Sequence, residues 1–249
     1  MPAHLPSDCA PDIALFLPHL DEGGAEHNFA LLAQDFSRVG LKIDMVLGQA
    51  RGSYLSMLPE STRIIDLKAK NEYDCLFPLA RYLKANQPKA ILSSLTLATL
   101  IMLLSQWISH SHTKTVVRVA NTLSLQPRMP LMKYLEKLAV RFLYRRAGQV
   151  IAVSNFVKQD LIRSYHLPAQ RIRVVYNPTI RREMHHQAQM PVEYPWFNQE
   201  EIPVVLAAGR LSPQKDFATL IQAFALVHSQ QPAYLAILGS GPEQSNLQA

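Results

Sequence analysis

Arg210 and Lys215 stand five residues apart in the stretch Ala207-Ala208-Gly209-Arg210-Leu211-Ser212-Pro213-Gln214-Lys215-Asp216-Phe217. The stretch leaves an apolar run and enters a helical one, with Gly209 allowing the turn. Two cations beside a helix N-terminus suit a diphosphate. Arginine offers a planar fork of donors, lysine a mobile point charge, and the free N–H groups of the first helical turn add to both. The same letters also describe a solvated basic loop. Gly23-Gly24-Ala25-Glu26 follows another apolar run and opens another helix. Glycines there let a backbone approach a ligand closely, and the helix start favours an anion; a turn with no ligand is the plain alternative. Leu238-Gly239-Ser240-Gly241-Pro242-Glu243 repeats that arrangement, either as a pocket for a base or ribose or as a simple turn. None of the spacings is GxGxxG or a P-loop, so a dinucleotide or Walker-type site is not indicated.

The hydrophobic pattern puts these loops on a common scaffold. Asp12–Pro18 is strand-like, and Ala25 to Val39 is helical, with Phe29, Leu32, Ala33 and Phe36 on one face. Strands are expected at 42–48, 62–67, 89–93, 114–119, 149–153 and 171–175, and helices at 73–85, 97–108, 131–146 and 155–165. Asn177 to Pro203 breaks the rhythm with Pro178, Pro191, Pro195 and Pro203, and with His185 and His186, which have no ligand-like partner spacing. The alternation resumes with a strand at 204–208, a helix at 216–227, a strand at 234–238 and a helix opening at Glu243. Short β runs alternating with helices of ten or more residues argue for parallel sheets covered on both faces. The expected fold is therefore α/β, with a Rossmann-like first domain over 1–176, a connector over 177–203 and the start of a second Rossmann-like domain over 204–249. Two strands and a fragment of helix do not close a domain, because they leave apolar faces and an open edge; a C-terminally truncated chain is the expectation. All three loops fall at the C-terminal ends of parallel strands, where open α/β sheets bind ligands. Two such domains face to face bring Gly23 and Gly24 opposite the other two loops.

At 249 residues the chain buries a core without disulfide staples. Cys9 and Cys75 match no metal or redox spacing, and Met1 to Pro11 carries no secretory signal, which points to a cytoplasmic location. The net charge of +6 favours a negatively charged partner: nucleic acid, anionic lipid or a phosphorylated small molecule. No recognition motif accompanies the charge, so nucleic acid is not expected. Ala90 to Thr113 contains no Asp, Glu, Lys or Arg. A membrane span needs about 20 apolar residues, and Ser93, Ser94, Thr96, Thr99, Ser105 and Gln106 interrupt this run. A buried strand followed by a core helix accounts for it better.

Taken in order, GGAE at Gly23, IAVSNFVKQDL at Ile151–Leu161, VVYNP at Val174–Pro178, AAGRLSPQKDFATLIQAFA at Ala207–Ala225 and LAILGSGPE at Leu235–Glu243 resemble the retaining glycosyltransferases of family 4. The resemblance implies a GT-B fold, a complete N-terminal Rossmann-like domain and an incomplete second one, with a nucleotide sugar in the cleft. It implies that Arg210 and Lys215 hold the donor diphosphate. Gly23 and Gly24 then sit beside the transferred sugar and phosphate, Gly209 shapes the diphosphate loop, and Gly239 and Gly241 border the base. No metal or other cofactor is implied, since the two cations supply the charge stabilisation. Two departures stand out. The Glu-x7-Glu motif common in the second domain has no counterpart before Ala249. A histidine frequent at the end of the strand written VVRVANTLS is replaced by Ala120 and Asn121. Asn121 can hydrogen-bond a donor sugar but cannot act as acid or base.

The expected activity is transfer of a sugar from a nucleoside-diphosphate sugar to a glycan or lipid-linked acceptor with retention, in cell-surface polysaccharide or glycolipid synthesis. A nucleotide-sugar epimerase of the same fold, or a catalytically silent fragment that binds membrane or a partner, are the alternatives. Lys133, Lys137, Arg141 and Arg145 form a basic stripe on the expected helix at 131–146, while Leu131, Leu135, Leu138, Phe142 and Leu143 lie on another part of its surface. Such a helix is either a solvated face or a contact with anionic lipid, and the resemblance points to a peripheral place on the inner face of the cytoplasmic membrane.

Overall fold

In the computed structural model of the chain, residues 10–21, 23–125, 129–178, 182–192, 194, 196 and 202–248 are described. They fall into two compact units, Met1–Thr179 and Ile180–Ala249. The first unit is built on seven parallel strands: β1 (Ile13–Leu17), β2 (Ile43–Leu47), β3 (Arg63–Asp66), β4 (Ala90–Ser93), β5 (Lys114–Val119), β6 (Gln149–Ala152) and β7 (Ile172–Val174). Their order is β3-β2-β1-β4-β5-β6-β7, so the chain reverses its direction of travel between β1 and β4. That crevice is where a doubly wound sheet takes ligands. The central strands read as near-continuous apolar runs because both faces are covered. IDMVL of β2 is wholly buried, whereas RIID of edge strand β3 is mostly exposed.

Helices α1 (Gly24–Arg38), α2 (Leu76–Asn86), α3 (Thr96–Ser109), α4 (Pro130–Tyr144) and α5 (Asn155–Tyr165) follow the expected 3.6 period. Phe29 and Ala33 of α1 pack on Leu15, Leu17, Met45 and Leu47 in one core cluster. A second, larger cluster joins Phe16, Leu79, Met102, Val117, Val140 and Leu161. The uncharged stretch from Ala90 resolves into β4 and α3, with Ala98, Ile101, Met102 and Leu103 buried. Its hydroxyls bond inward, Thr99 Oγ1 donating to Leu95 O at 2.8 Å and Ser105 Oγ to Leu76 O at 2.8 Å. Among the described residues no helix is long and apolar enough to cross a membrane.

Local differences from the sequence pattern have local causes. The expected helix at 73–85 begins as a 3-10 turn, Tyr73–Cys75, and becomes α-helical at Leu76. The proline-rich stretch holds a short helix, α6 (Arg182–Gln187), with His185 and His186 exposed. Within the second unit Trp196, an aromatic from that stretch, stacks on Tyr234 at 4.8 Å between ring centroids. The second unit contains β8 (Val204–Ala208) and β9 (Tyr234–Leu238), paired in parallel, with α7 (Phe217–His228) and α8 (Gln244–Gln248). Its sheet leaves apolar side chains open, including Val205, Leu206 and Leu238.

Candidate functional site

In the first unit the loops leaving β1, β4 and β5 emerge on the same edge of the sheet. The exit of β1 is held by the exit of β2. Leu20 N donates to Arg51 O at 2.9 Å and Tyr54 N to Leu20 O at 3.1 Å, while Arg51 pairs with Asp21. Gly52 makes this approach possible: at φ +123° a Cβ there would stand 2.0 Å from the carbonyl carbon of Leu20. Gly23, extended at φ −161°, is the N-cap of α1 and supplies no side-chain cap. A Cβ on Gly23 would come within 2.1 Å of Glu26 Oε2, so the Glu26 carboxylate lies against this glycine in the first turn of α1. Gly24 is open, with nothing within 4 Å of a Cβ placed there.

Asn121 lies beyond β5, with β4 between its loop and that of Gly23 and Gly24. At ordinary strand spacing the two loops are separated by roughly 10 Å. Asn121 lines a cavity of about 220 Å³ together with Glu72, Leu95, Thr96, Leu97 and Arg118. Leu95, between β4 and α3, holds φ +70°, a conformation costly for a leucine. It starts α3 with no side-chain cap and no acid in the first turn, so that turn's N–H groups are left for solvent or ligand.

Sequence reasoning overlooked Arg118. Its guanidinium donates through Nη1 to Ser94 Oγ at 3.1 Å and through Nη2 to Asn177 Oδ1 at 2.8 Å. Burial lowers its pKa from the usual arginine value, and no ion pair to it occurs among the described residues. The signal was present as a lone arginine inside the apolar run VVRVA, and Asn177 stands within VVYNP.

In the second unit the loops after β8 and β9 lie backbone against backbone. Gly209 N donates to Leu238 O, and Leu211 N to Ser240 O, both at 2.9 Å. A Cβ on Gly239, at φ +149°, would stand 1.9 Å from Gly209 O, and one on Gly241 2.2 Å from Leu211 O. These two glycines thus have a packing requirement whatever ligand they border. The stem of Lys215 passes Gly209, its Cε 3.7 Å from where a Cβ would be. Arg210 and Lys215 are both exposed, and neither makes a side-chain hydrogen bond or ion pair among the described residues. The neighbouring acid, Asp216, caps α7 instead, accepting from Thr219 Oγ1 at 2.9 Å. Gly209, Lys215, Gly239 and Gly241 are therefore brought together, with Arg210 in the same loop. Two unopposed cations beside a helix start form a place for an anion.

Of the basic side chains expected on one helix, Lys133, Lys137 and Arg141 lie in α4 and Arg145 is its C-cap. Lys133, Lys137, Arg141 and Arg145 are all exposed, Lys133 Nζ donating to Ser124 O and Arg145 Nη2 to His166 O, each at 2.7 Å. The apolar side chains of α4 are more exposed than packing would leave them: Leu131 is 69%, Tyr134 60% and Phe142 56% exposed. Arg146 lies over the Phe142 ring, 3.7 Å from its centroid. No metal-ligating group of three or more His, Cys, Asp or Glu occurs among the described residues.

The sequence matches the Glycosyltransferase Family 4 profile over residues 22–180. No curated protein matches the chain in sequence. Anabaena Alr3699/HepE, solved in complex with UDP and glucose, is 17% identical with a TM-score of 0.68, over 96% of this chain and 64% of that one. The lipopolysaccharide outer core galactosyltransferase WaaB, in its apo form, is 17% identical with a TM-score of 0.62, over 95% and 63%. Sucrose-phosphate synthase from Thermosynechococcus elongatus is 16% identical with a TM-score of 0.64, over 93% and 63%. At these identities the likeness is one of fold, the α/β fold of GT-B glycosyltransferases, and the chain spans about 64% of the length of such structures.

Proposed function

The chain belongs to Glycosyltransferase Family 4, and from that premise we propose that it acts in retaining hexosyl transfer, binding a nucleoside-diphosphate sugar and presenting it to a glycan or lipid-linked acceptor. The observation that carries this reading is the pair Arg210 and Lys215, exposed and without acid partners among the described residues, in a loop closed by Gly209 and Gly239. As the bond between the sugar's anomeric carbon and the diphosphate oxygen breaks, negative charge grows on the diphosphate. Arg210 and Lys215 meet that charge, a preorganised electrostatic role that needs no metal or other cofactor. The acceptor hydroxyl forms the new glycosidic bond, and its proton leaves to the departing diphosphate. Gly23 and Gly24 lie beside the sugar and phosphate, Gly239 and Gly241 beside the base, and Asn121 hydrogen-bonds the sugar without exchanging a proton.

The experiment is calorimetric titration with UDP- and GDP-sugars. Arg210→Ala or Lys215→Ala weakens binding by about tenfold or more, as loss of a charge-assisted bond implies. Unchanged affinity in both variants sinks the assignment.

A place at the inner face of the cytoplasmic membrane, in cell-surface polysaccharide or glycolipid synthesis, forms part of the same proposal. Its support is α4, where Lys133, Lys137 and Arg141, with Arg145 at the C-cap, accompany exposed Leu131, Leu135, Leu138 and Phe142. The cations suit the anionic cytoplasmic leaflet and the apolar side chains suit the acyl boundary.

A further inference from the structure

Arg118 sits in β5, well inside a seven-stranded sheet, and is only 8% exposed. A guanidinium taken out of water is costly unless an opposite charge answers it. Arg63, in edge strand β3, shows the usual solution: it grips Asp44 through Nε at 2.9 Å and Nη2 at 2.5 Å. Arg118 has no such answer. Its partners, Ser94 Oγ and Asn177 Oδ1, are neutral, and among the described residues no carboxylate pairs with it. Those two contacts fix the plane of the fork without neutralising it. A positive charge held in place in this way is prepared for an anion.

Arg118 also lines the cavity of about 220 Å³ at the C-terminal ends of β4 and β5, with Asn121 and with Thr96 and Leu97 of the uncapped first turn of α3. The helix end adds partial positive charge to the same space. Glu72 also lines the cavity but forms no ion pair with Arg118. We propose that Arg118, oriented by Ser94 and Asn177, is the anion-recognising residue of an acceptor subsite in the first unit, taking an acceptor that bears a phosphate or a carboxylate. Calling the ligand the acceptor rests on the transferase reading above; the anion site itself does not.

The test titrates the full chain with inorganic phosphate and, separately, with glucuronate at constant ionic strength. It compares the unmodified protein, Arg118→Gln, Arg118→Lys and the double variant Arg210→Ala, Lys215→Ala. Saturable binding is expected in the unmodified protein, and a saturable component of it persists in the double variant. Arg118→Gln weakens it about tenfold, and Arg118→Lys, which keeps the charge, weakens it less. Should Arg118→Gln fail to fold, the double variant still decides, because binding that survives it does not belong to the diphosphate loop. Stronger binding of phosphate assigns a phosphorylated acceptor, and stronger binding of glucuronate an acidic sugar. The proposal is overturned if the unmodified protein binds neither anion, or if binding vanishes in the double variant and persists in Arg118→Gln. A protein that binds phosphate through Arg118 but no nucleotide sugar sinks the donor assignment while leaving the anion site intact.

Discussion

Arg63 and Arg118 occupy strands of one sheet, and their neighbours give them opposite parts. Arg63 completes a closed polar group, because Asp44 also accepts from the buried Tyr82 hydroxyl at 2.5 Å. Burial pushes the Tyr82 pKa up, so its hydroxyl keeps the proton that it donates to Asp44. Cys75 is similarly inert: burial, helped by Glu72 and Asp74, pushes its thiol up to about 11, far from a reactive thiolate. Cys9 lies outside the described residues. Asp12 is the residue whose titration touches stability. The hydrogen bond from Lys89 Nζ at 2.6 Å, and then that from Lys42 N at 2.9 Å, hold its carboxyl below the ordinary 3.8. A depressed carboxyl stabilises the folded chain above its unfolded pKa and loses that contribution as pH falls through the lower, folded value. In Asp12→Asn the fall of the unfolding midpoint on acidification below about pH 4 should be shallower. Identical pH slopes would show that the two donors do not bias Asp12.

At the scale of elements, α4 is the unusual helix of the first unit. An amphipathic helix of a globular domain hides its apolar stripe, and α5 does so, with Val157, Leu161 and Tyr165 buried and Ser154 Oγ capping Val157 N at 3.1 Å. In α4 only Val140, Leu143 and Tyr144 are buried, while Leu131, Leu135, Leu138 and Phe142 stay exposed beside the cations. Two kinds of contact then act together on a bilayer: each Lys or Arg near an anionic surface contributes about 1 kcal/mol, and inserted side chains add apolar burial that salt does not screen. Lys133→Gln, Lys137→Gln and Arg141→Gln combined should reduce co-sedimentation with phosphatidylserine vesicles at low salt to the level that the unmodified protein keeps at high salt. Leu135→Ser with Phe142→Ser should leave low-salt binding and remove what survives high salt. Full retention by the triple variant would reduce the stripe to a solvated face.

The two units differ in how much holds them. The first buries its residues in two apolar clusters around seven strands. In the second, the buried apolar residues among those described are Leu211, Phe217 and Ala233, and both strands carry exposed apolar side chains. Local opening follows such differences. Amide exchange should therefore be faster by orders of magnitude in β8 and β9 than in β1, β2 and β4. Equal protection would mean that the second unit gains stability from contacts other than its own core. Binding of a nucleotide sugar by Arg210 and Lys215 should slow exchange in β8 and β9 first, since ligand binding stabilises the unit that holds the site.

The sequence alone determined the order of strands and helices, to within a residue or two for most elements, because burial on a parallel sheet writes a local period into the chain. It also marked the loop from Gly209 to Lys215, since cations and a glycine at a strand-to-helix junction are neighbours in the chain as well as in space. It left Arg118 unmarked. The meaning of that side chain depends on Ser94, twenty-four residues earlier, and Asn177, fifty-nine later, and only the tertiary structure brings them together. The reason for Gly239 and Gly241 was hidden for the same cause, as each packs on a carbonyl of another loop. The exposure of α4 was likewise out of reach of its own letters, for a period shows which residues share a face and not whether anything covers it.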